Sequence, residues 1–245
     1  MRIDVALSPD AVVASPAVAI AVDVIRATTT IAYALAQGYR EVVCCPGIED
    51  AQSAAREIGD TAVLAGEVDR LPPAGFALGN SPREFADGLP LGDVLVLSTT
   101  NGTRAVCWAA SSAALALVGS LANLTACAAA AARSARAVRG SVAIRCAGAD
   151  GNPCLDDSYV AGRLVAELEA YLPEWVLGDT AELVRSAASS YGSEIEALGR
   201  SSSAASLREY DLFDDVRICA RLDAVPAVIE AVALPGGRAR AFSGR

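Results

Sequence analysis

Histidine and lysine are both absent from this chain of 245 residues, and all 20 of its basic residues are arginine. Without His there is no Ser-His-Asp or Cys-His nucleophile pair, no phosphohistidine and no His-ligated catalytic zinc. Without Lys there is no Schiff base, no PLP enzyme, no Walker A loop and no Lys-assisted aspartyl phosphatase. The seven cysteines form no C-x-x-C, and their one adjacent pair is Cys44-Cys45, so neither a zinc ribbon nor a disulfide framework is written here. Such thiols read as buried apolar fillers in a reducing cytoplasm. Positive charge is also short: 20 basic against 29 acidic residues leave a net charge of −9, which disfavours nucleic acid and anionic membranes as partners. Carboxylates, hydroxyls, arginine forks, helix N-termini and hard metal ions remain, a set suited to magnesium and phosphate.

At 53% apolar content the chain can bury a substantial core. Asp4 and Asp10 precede the first apolar run and Pro16 breaks it, which is not the pattern of a secretory signal. No charge falls between Arg104 and Arg133, yet the stretch is rich in Ala, is interrupted by Ser, Gly, Asn and Thr, and parses as helix, strand and helix rather than as a membrane span. Strands are expected at Ile3–Leu7, Val18–Val24, Glu41–Cys45, Thr61–Ala65, Val94–Ser98, Ala113–Val118 and Val142–Cys146. Helices are expected at Thr28–Gln37, Ile48–Ile58, Pro82–Ala86, Thr103–Ala110, Asn123–Ala132, Asp156–Tyr171 and Thr180–Ala188. This alternation predicts a three-layer α/β fold with helices packed on a mostly parallel or mixed sheet, because strands apolar on both faces need cover on both. No linker divides the chain, so residues 1–245 read as one domain, with a loop at Ser201-Ser202-Ser203 and a flexible tail from about residue 236. The apolar surplus is compatible with a homodimer.

Ligands of open α/β sheets bind beyond the carboxyl ends of the strands, and four such junctions carry polar residues. In Val22-Asp23-Val24-Ile25-Arg26-Ala27-Thr28-Thr29-Thr30, an acid and an arginine flank a strand end and hydroxyls open a helix, although the threonines serve equally well as caps. Glu67 follows the next apolar strand, and Gly79-Asn80-Ser81-Pro82-Arg83-Glu84 begins a helix whose Ser81 and Glu84 read as a capping box. Ser98-Thr99-Thr100-Asn101-Gly102-Thr103-Arg104 offers hydroxyls, amides and an arginine fork to an oxyanion. The fourth, Cys146-Ala147-Gly148-Ala149-Asp150-Gly151-Asn152, leads to Asp156-Asp157, which are either helix-dipole complements or metal ligands. Cys127 and Arg133 match the C-x5-R spacing of a cysteine phosphatase, but the five intervening alanines would form helix, not a phosphate loop.

These strings, with Gly66-Glu67, Gly75-Phe76 and Asp211-Leu212-Phe213-Asp214-Asp215-Val216, occur in an order that resembles the 2-phosphosulfolactate phosphatases over nearly the whole chain. The resemblance implies a Mg²⁺-dependent phosphatase that converts 2-phospho-3-sulfolactate to sulfolactate and phosphate, a step of coenzyme M biosynthesis in the family's best-known setting. On this view Asp23, Arg26 and Glu67 are catalytic, and Asp23 and Glu67 with Asp156 or Asp157 hold the metal. Thr28, Thr29, Asn80, Ser81, Thr100, Asn101, Gly102, Thr103 and Arg104 then bind the small anionic phosphate ester. The family's acidic pair is often Glu-Asp where this chain has Asp156-Asp157, which leaves open which of the two reaches the metal. Water and an aspartate both remain open as nucleophile. A phosphatase of another 2-phosphohydroxycarboxylic acid, or a non-catalytic anion-binding protein of the same fold, are the competing readings.

Overall fold

The structure is a computed structural model describing residues 1–11, 15–86, 90–171 and 175–244. In chain order the elements are β1 (Arg2–Ala6), β2 (Val18–Val22), α1 (Ala27–Gln37), β3 (Glu41–Cys45), α2 (Ile48–Ile58), β4 (Ala62–Gly66), β5 (Val94–Ser98), α3 (Gly102–Ser112), β6 (Leu115–Gly119), α4 (Leu124–Val138), β7 (Val142–Cys146) and α5 (Leu155–Tyr171). There follow β8 (Val176–Leu177), α6 (Asp179–Ala188), α7 (Glu194–Gly199), α8 (Ser202–Glu209), α9 (Phe213–Cys219), β9 (Ile229–Ala233) and β10 (Ala239–Ser243). A short 3₁₀ turn covers Pro82–Phe85.

The strands form one sheet in the order β4-β5-β3-β10-β9-β6-β2-β7-β1-β8. Pairings inside the blocks β4-β5-β3 and β6-β2-β7-β1-β8 are parallel, whereas β3-β10, β10-β9 and β9-β6 are antiparallel. The expected mixed, mostly parallel sheet with helices on both faces is therefore what the chain adopts. The hairpin β9-β10 is the seam between two parallel blocks.

Strand β2 shows why its sequence is apolar throughout. Val18, Ile20 and Val22 enter a cluster with Leu124, Leu164 and Leu168 on one face. Ala19 and Ala21 enter another, with Ile31, Ala105 and Val106, on the opposite face. Every residue of β2 is buried, so the period-2 contrast of a half-exposed strand cannot appear. The small side chains on the second face let α3 lie close, bringing its first turn to the end of β2. Fully burying one such Ile or Leu contributes about 1.5–3 kcal/mol.

Two expectations fail at the C-terminal end. The tail from residue 236 is not flexible: β10 pairs with β3 through Ala239–Ala241 and with β9 through Ala239–Ser243, deep in the sheet. Gly236 and Gly237, at φ 76° and 72°, form the turn of that hairpin. Ser201-Ser202-Ser203 is not a loop either, since Ser201 caps α8, its hydroxyl accepting from the Ala204 amide at 3.1 Å. Among the described residues no helix is long and apolar enough to cross a membrane.

Candidate active site

The loops after β2, β4, β5 and β7 meet at a cavity of about 150 Å³, to which the starts of α5 and α8 also contribute. Asp23, Arg26, Glu67, Asn80, Thr100, Asn101, Asp156 and Asp157, all expected from sequence, line it together. The close approach of the β4 and β5 ends, and of the β2 and β5 loops, depends on one glycine each. A Cβ on Gly66 would overlap the Ser98 carbonyl, and one on Gly102 would overlap the Asp23 carboxylate and the Ala27 side chain.

Each acid is held differently. Asp23 is half-buried at the end of β2, and its Oδ1 accepts from the Ala27 amide at 3.2 Å. Glu67 is fixed through both oxygens, Oε1 accepting from the Thr100 amide at 2.9 Å and Oε2 from the Arg70 amide at 3.0 Å. Asp157 also uses both, accepting from Val24 N–H at 2.9 Å and Gly148 N–H at 3.1 Å, and so ties the β2 and β7 loops to α5. Asp156 is the exception, because its buried Oδ1 has no hydrogen-bond partner. The two adjacent acids, alike in sequence, thus split into a strap and a carboxylate with one buried oxygen unpartnered.

The electrostatics are those of a cation cradle. Desolvation first, then repulsion from Asp156 and Glu67, pushes Asp23 from the ordinary value of 3.8 to about 7, although the Ala27 amide and Arg26 pull it down. Burial raises Asp156 as well, and burial with repulsion from Asp156 and Asp23 raises Asp157. Cys154 Sγ and carboxylate oxygens of Asp156 and Asp157 lie within 4.8 Å of one another. Burial and the two neighbouring acids push the Cys154 thiol up, so it stays protonated. The donors left are carboxylate oxygens, which fit a hard cation such as Mg²⁺. An orphaned buried carboxylate oxygen is the atom such an ion would satisfy.

Arg26 is buried and paired. Its Nη1 donates to Asp215 Oδ2 at 2.8 Å and its Nη2 to the Arg70 carbonyl at 2.9 Å. Ser81 Oγ donates to the other oxygen of Asp215 at 2.5 Å. Ser81 therefore neither faces the cavity nor caps the Pro82 turn, and Glu84 reaches past it to accept from the Gly79 amide at 2.9 Å. Thr28, Thr29 and Thr103 are fully buried outside the cavity. Their hydroxyls donate to the carbonyls of Asp23, Val24 and Thr99 and so brace helix starts. Gly102 acts by lacking a side chain. Arg104 lies in an adjoining cavity, its Nε donating to the Pro46 carbonyl at 3.3 Å.

Sequence reasoning passed over Arg145, Trp108 and Ser203, and gave Asp215 no role. Arg145 is the single charge in the run Val142–Cys146, and that oddity was the available signal. Ser203 lines the cavity beside Asp156 but belonged to a triple serine that reads as a loop.

A family model described as 2-phosphosulpholactate phosphatase matches residues 6–233. A "Probable 2-phosphosulfolactate phosphatase" of Thermus thermophilus is 42% identical over 228 residues, covering 93% of each chain. Another of that name, from Deinococcus radiodurans, is 38% identical over 247 residues and the full length of both chains. A third, from Parasynechococcus marenigrum, is 36% identical over 219 residues, covering 88% of this chain and 89% of the relative.

Proposed function

The chain belongs to the 2-phosphosulpholactate phosphatase family, and from that premise we propose that it hydrolyses 2-phospho-3-sulfolactate to 3-sulfolactate and phosphate with Mg²⁺ as its cofactor. As an enzyme it is a phosphoric monoester hydrolase. The observation that carries the proposal is the gathering of Asp23, Glu67, Asp156 and Asp157, remote along the chain, around one cavity with Arg26.

Asp156, with its uncommitted Oδ1, and Asp23 are the residues we assign to the metal, with Glu67 beside them. Bound there, Mg²⁺ would neutralise phosphate oxygens. Asp157 contributes by fixing the two loops that carry the other groups. Arg26, locked by Asp215, presents a charged donor to the phosphate. Asn80 adds a buried side-chain amide whose Oδ1 has no partner, and Thr100 and Asn101 add polar groups at the start of α3. The attacking group in this proposal is water oriented by a carboxylate of the cluster. Seven free thiols, six of them buried, support a reducing compartment such as the cytoplasm.

Phosphate release from 2-phospho-3-sulfolactate, 2-phospholactate and 2-phosphoglycolate tests the reading. The sulfonate substrate should be preferred, and both EDTA and Asp23→Asn should abolish turnover. Activity that survives both treatments removes the metal from the account, while preference for another ester moves the substrate assignment.

A further inference from the structure

The acidic cavity opens into a second one of about 670 Å³, with Glu67, Thr99, Thr100, Asn101 and Asp150 common to both walls. Its lining sets arginines beside the carboxylates of Asp10, Glu67 and Asp150. Two guanidinium groups face it, Arg104 from α3 and Arg145 from β7. Arg145 shares the sheet face of Ala21, its partner on β2, and so lies on the side of Asp23 and α3. Its Cζ lies 3.9 Å from the centre of the Trp108 ring, a cation–π contact within the usual ~6 Å limit.

Among the described residues no carboxylate makes a salt bridge with Arg145, and Asp10, on the same cavity wall, acts on it only through space. Arg145 Nη2 donates to the Ala11 carbonyl at 2.9 Å, and its Nε is buried with no partner. Among the described residues neither Arg145 nor Arg104 enters an ion pair, although the chain has more acids than arginines. Arg26, which lines the acidic cavity, by contrast makes a salt bridge to Asp215 through its Nη1. Desolvation weakens the hold of Arg145 on its proton, and the charge of Asp10 opposes that only in part. A half-buried, aromatic-backed guanidinium with no carboxylate in salt-bridge contact is matched to a weakly hydrated anion from outside.

We propose that Arg145 on its Trp108 platform, with Arg104, forms the subsite for the anionic group of the substrate that is not transferred, a sulfonate or a carboxylate. The proposal rests on the phosphatase reading above and adds a division of labour. The carboxylate-lined end takes the cation and the phosphate, and the arginine-lined end takes the rest of the molecule. Arg145 and Trp108 are thereby specificity-determining residues.

The test compares kcat/KM of wild type and Arg145→Gln on three esters: 2-phospho-3-sulfolactate, 2-phospholactate without the sulfonate, and isopropyl phosphate without either anion. Loss of a charged hydrogen-bond donor is worth about 10- to 100-fold. The ratio of phosphosulfolactate to isopropyl phosphate should fall by that factor, mainly through KM. If the ratio of phosphosulfolactate to phospholactate falls equally, the subsite reads the sulfonate; if it holds while phospholactate to isopropyl phosphate falls, it reads the carboxylate. Equal losses on all three esters, or none, overturn the proposal. Trp108→Leu keeps the charge and removes the platform, and should shift the same ratios in the same direction; it decides the matter if Arg145→Gln does not fold. If wild type turns over none of the esters, the phosphatase reading fails by itself. Calorimetric binding of 3-sulfolactate then judges the subsite, weaker in the variant supporting it and equal in both overturning it.

Discussion

At the scale of single residues, the acids of the cavity repel one another until something positive lies between them. Asp156→Asn removes one charge and keeps the volume, so the metal-free protein should melt higher by a few degrees, about 2–4 °C for each kcal/mol relieved in a chain of this size. The same change should weaken Mg²⁺ binding by more than the ~10- to 100-fold typical of disturbing an outer-shell partner. A melting temperature that falls, with Mg²⁺ affinity unaltered, would make Asp156 a structural residue. Asp23 adds a pH dependence. Its pKa in the folded chain, about 7, lies above the ordinary 3.8, so the folded state holds that proton more tightly than the unfolded state. Its contribution to stability is full below 3.8 and is lost as pH rises through about 7. Melting curves without divalent ions should therefore fall over that window in wild type and flatten in Asp23→Asn, and equal slopes would contradict the assignment.

The acids and Arg26 were legible in the sequence because strand ends in an α/β fold face the ligand side, and a charge attached to a buried strand needs a reason. Thr28, Thr29, Ser81 and Thr103 could not be placed from sequence, because a hydroxyl that braces a helix start and one that binds an oxyanion look alike until its partner is known. Asp215 was visible as part of a string, but its role required knowing that a segment 189 residues away folds against Arg26. Asp215→Ala would leave that guanidinium buried and unpaired, at a cost of about 3–5 kcal/mol. Chemical denaturation should register this, and a loss under ~1 kcal/mol would show the pair to be dispensable.

Among the elements, α3 and β10 carry the most consequence. The first turn of α3 reaches Asp23 only because Gly102 has no Cβ and the β2 residues beneath it are Ala19 and Ala21. Gly102→Ala should force the loop off the carboxylate, costing about 1–3 kcal/mol by overpacking together with most of the activity. A fully active, equally stable variant would show that the loop yields freely. Strand β10 was illegible because Ala, Arg and flanking Gly carry little strand propensity. Its place is fixed by partners on both sides, with Ala239 and Ala241 buried and Arg240 exposed. Deleting residues 236–245 would open the sheet between β3 and β9. The truncated chain should lose cooperative unfolding by circular dichroism, where a frayed tail could be removed without effect.

For the molecule as a whole, the β9-β10 seam reverses strand direction between the two parallel blocks. The loops of both blocks nonetheless line one cleft. Sequence showed the strands and their polar loops; that the loops share a cavity is seen only in the folded chain. Calorimetric titration of Mg²⁺ into the metal-free protein asks whether those loops build one ion site. The account predicts one ion per chain, tighter binding as pH rises through about 7, and loss of the site in both Asp23→Asn and Asp156→Asn, although these residues stand on different strands' loops. Binding that survives either substitution unchanged would contradict it.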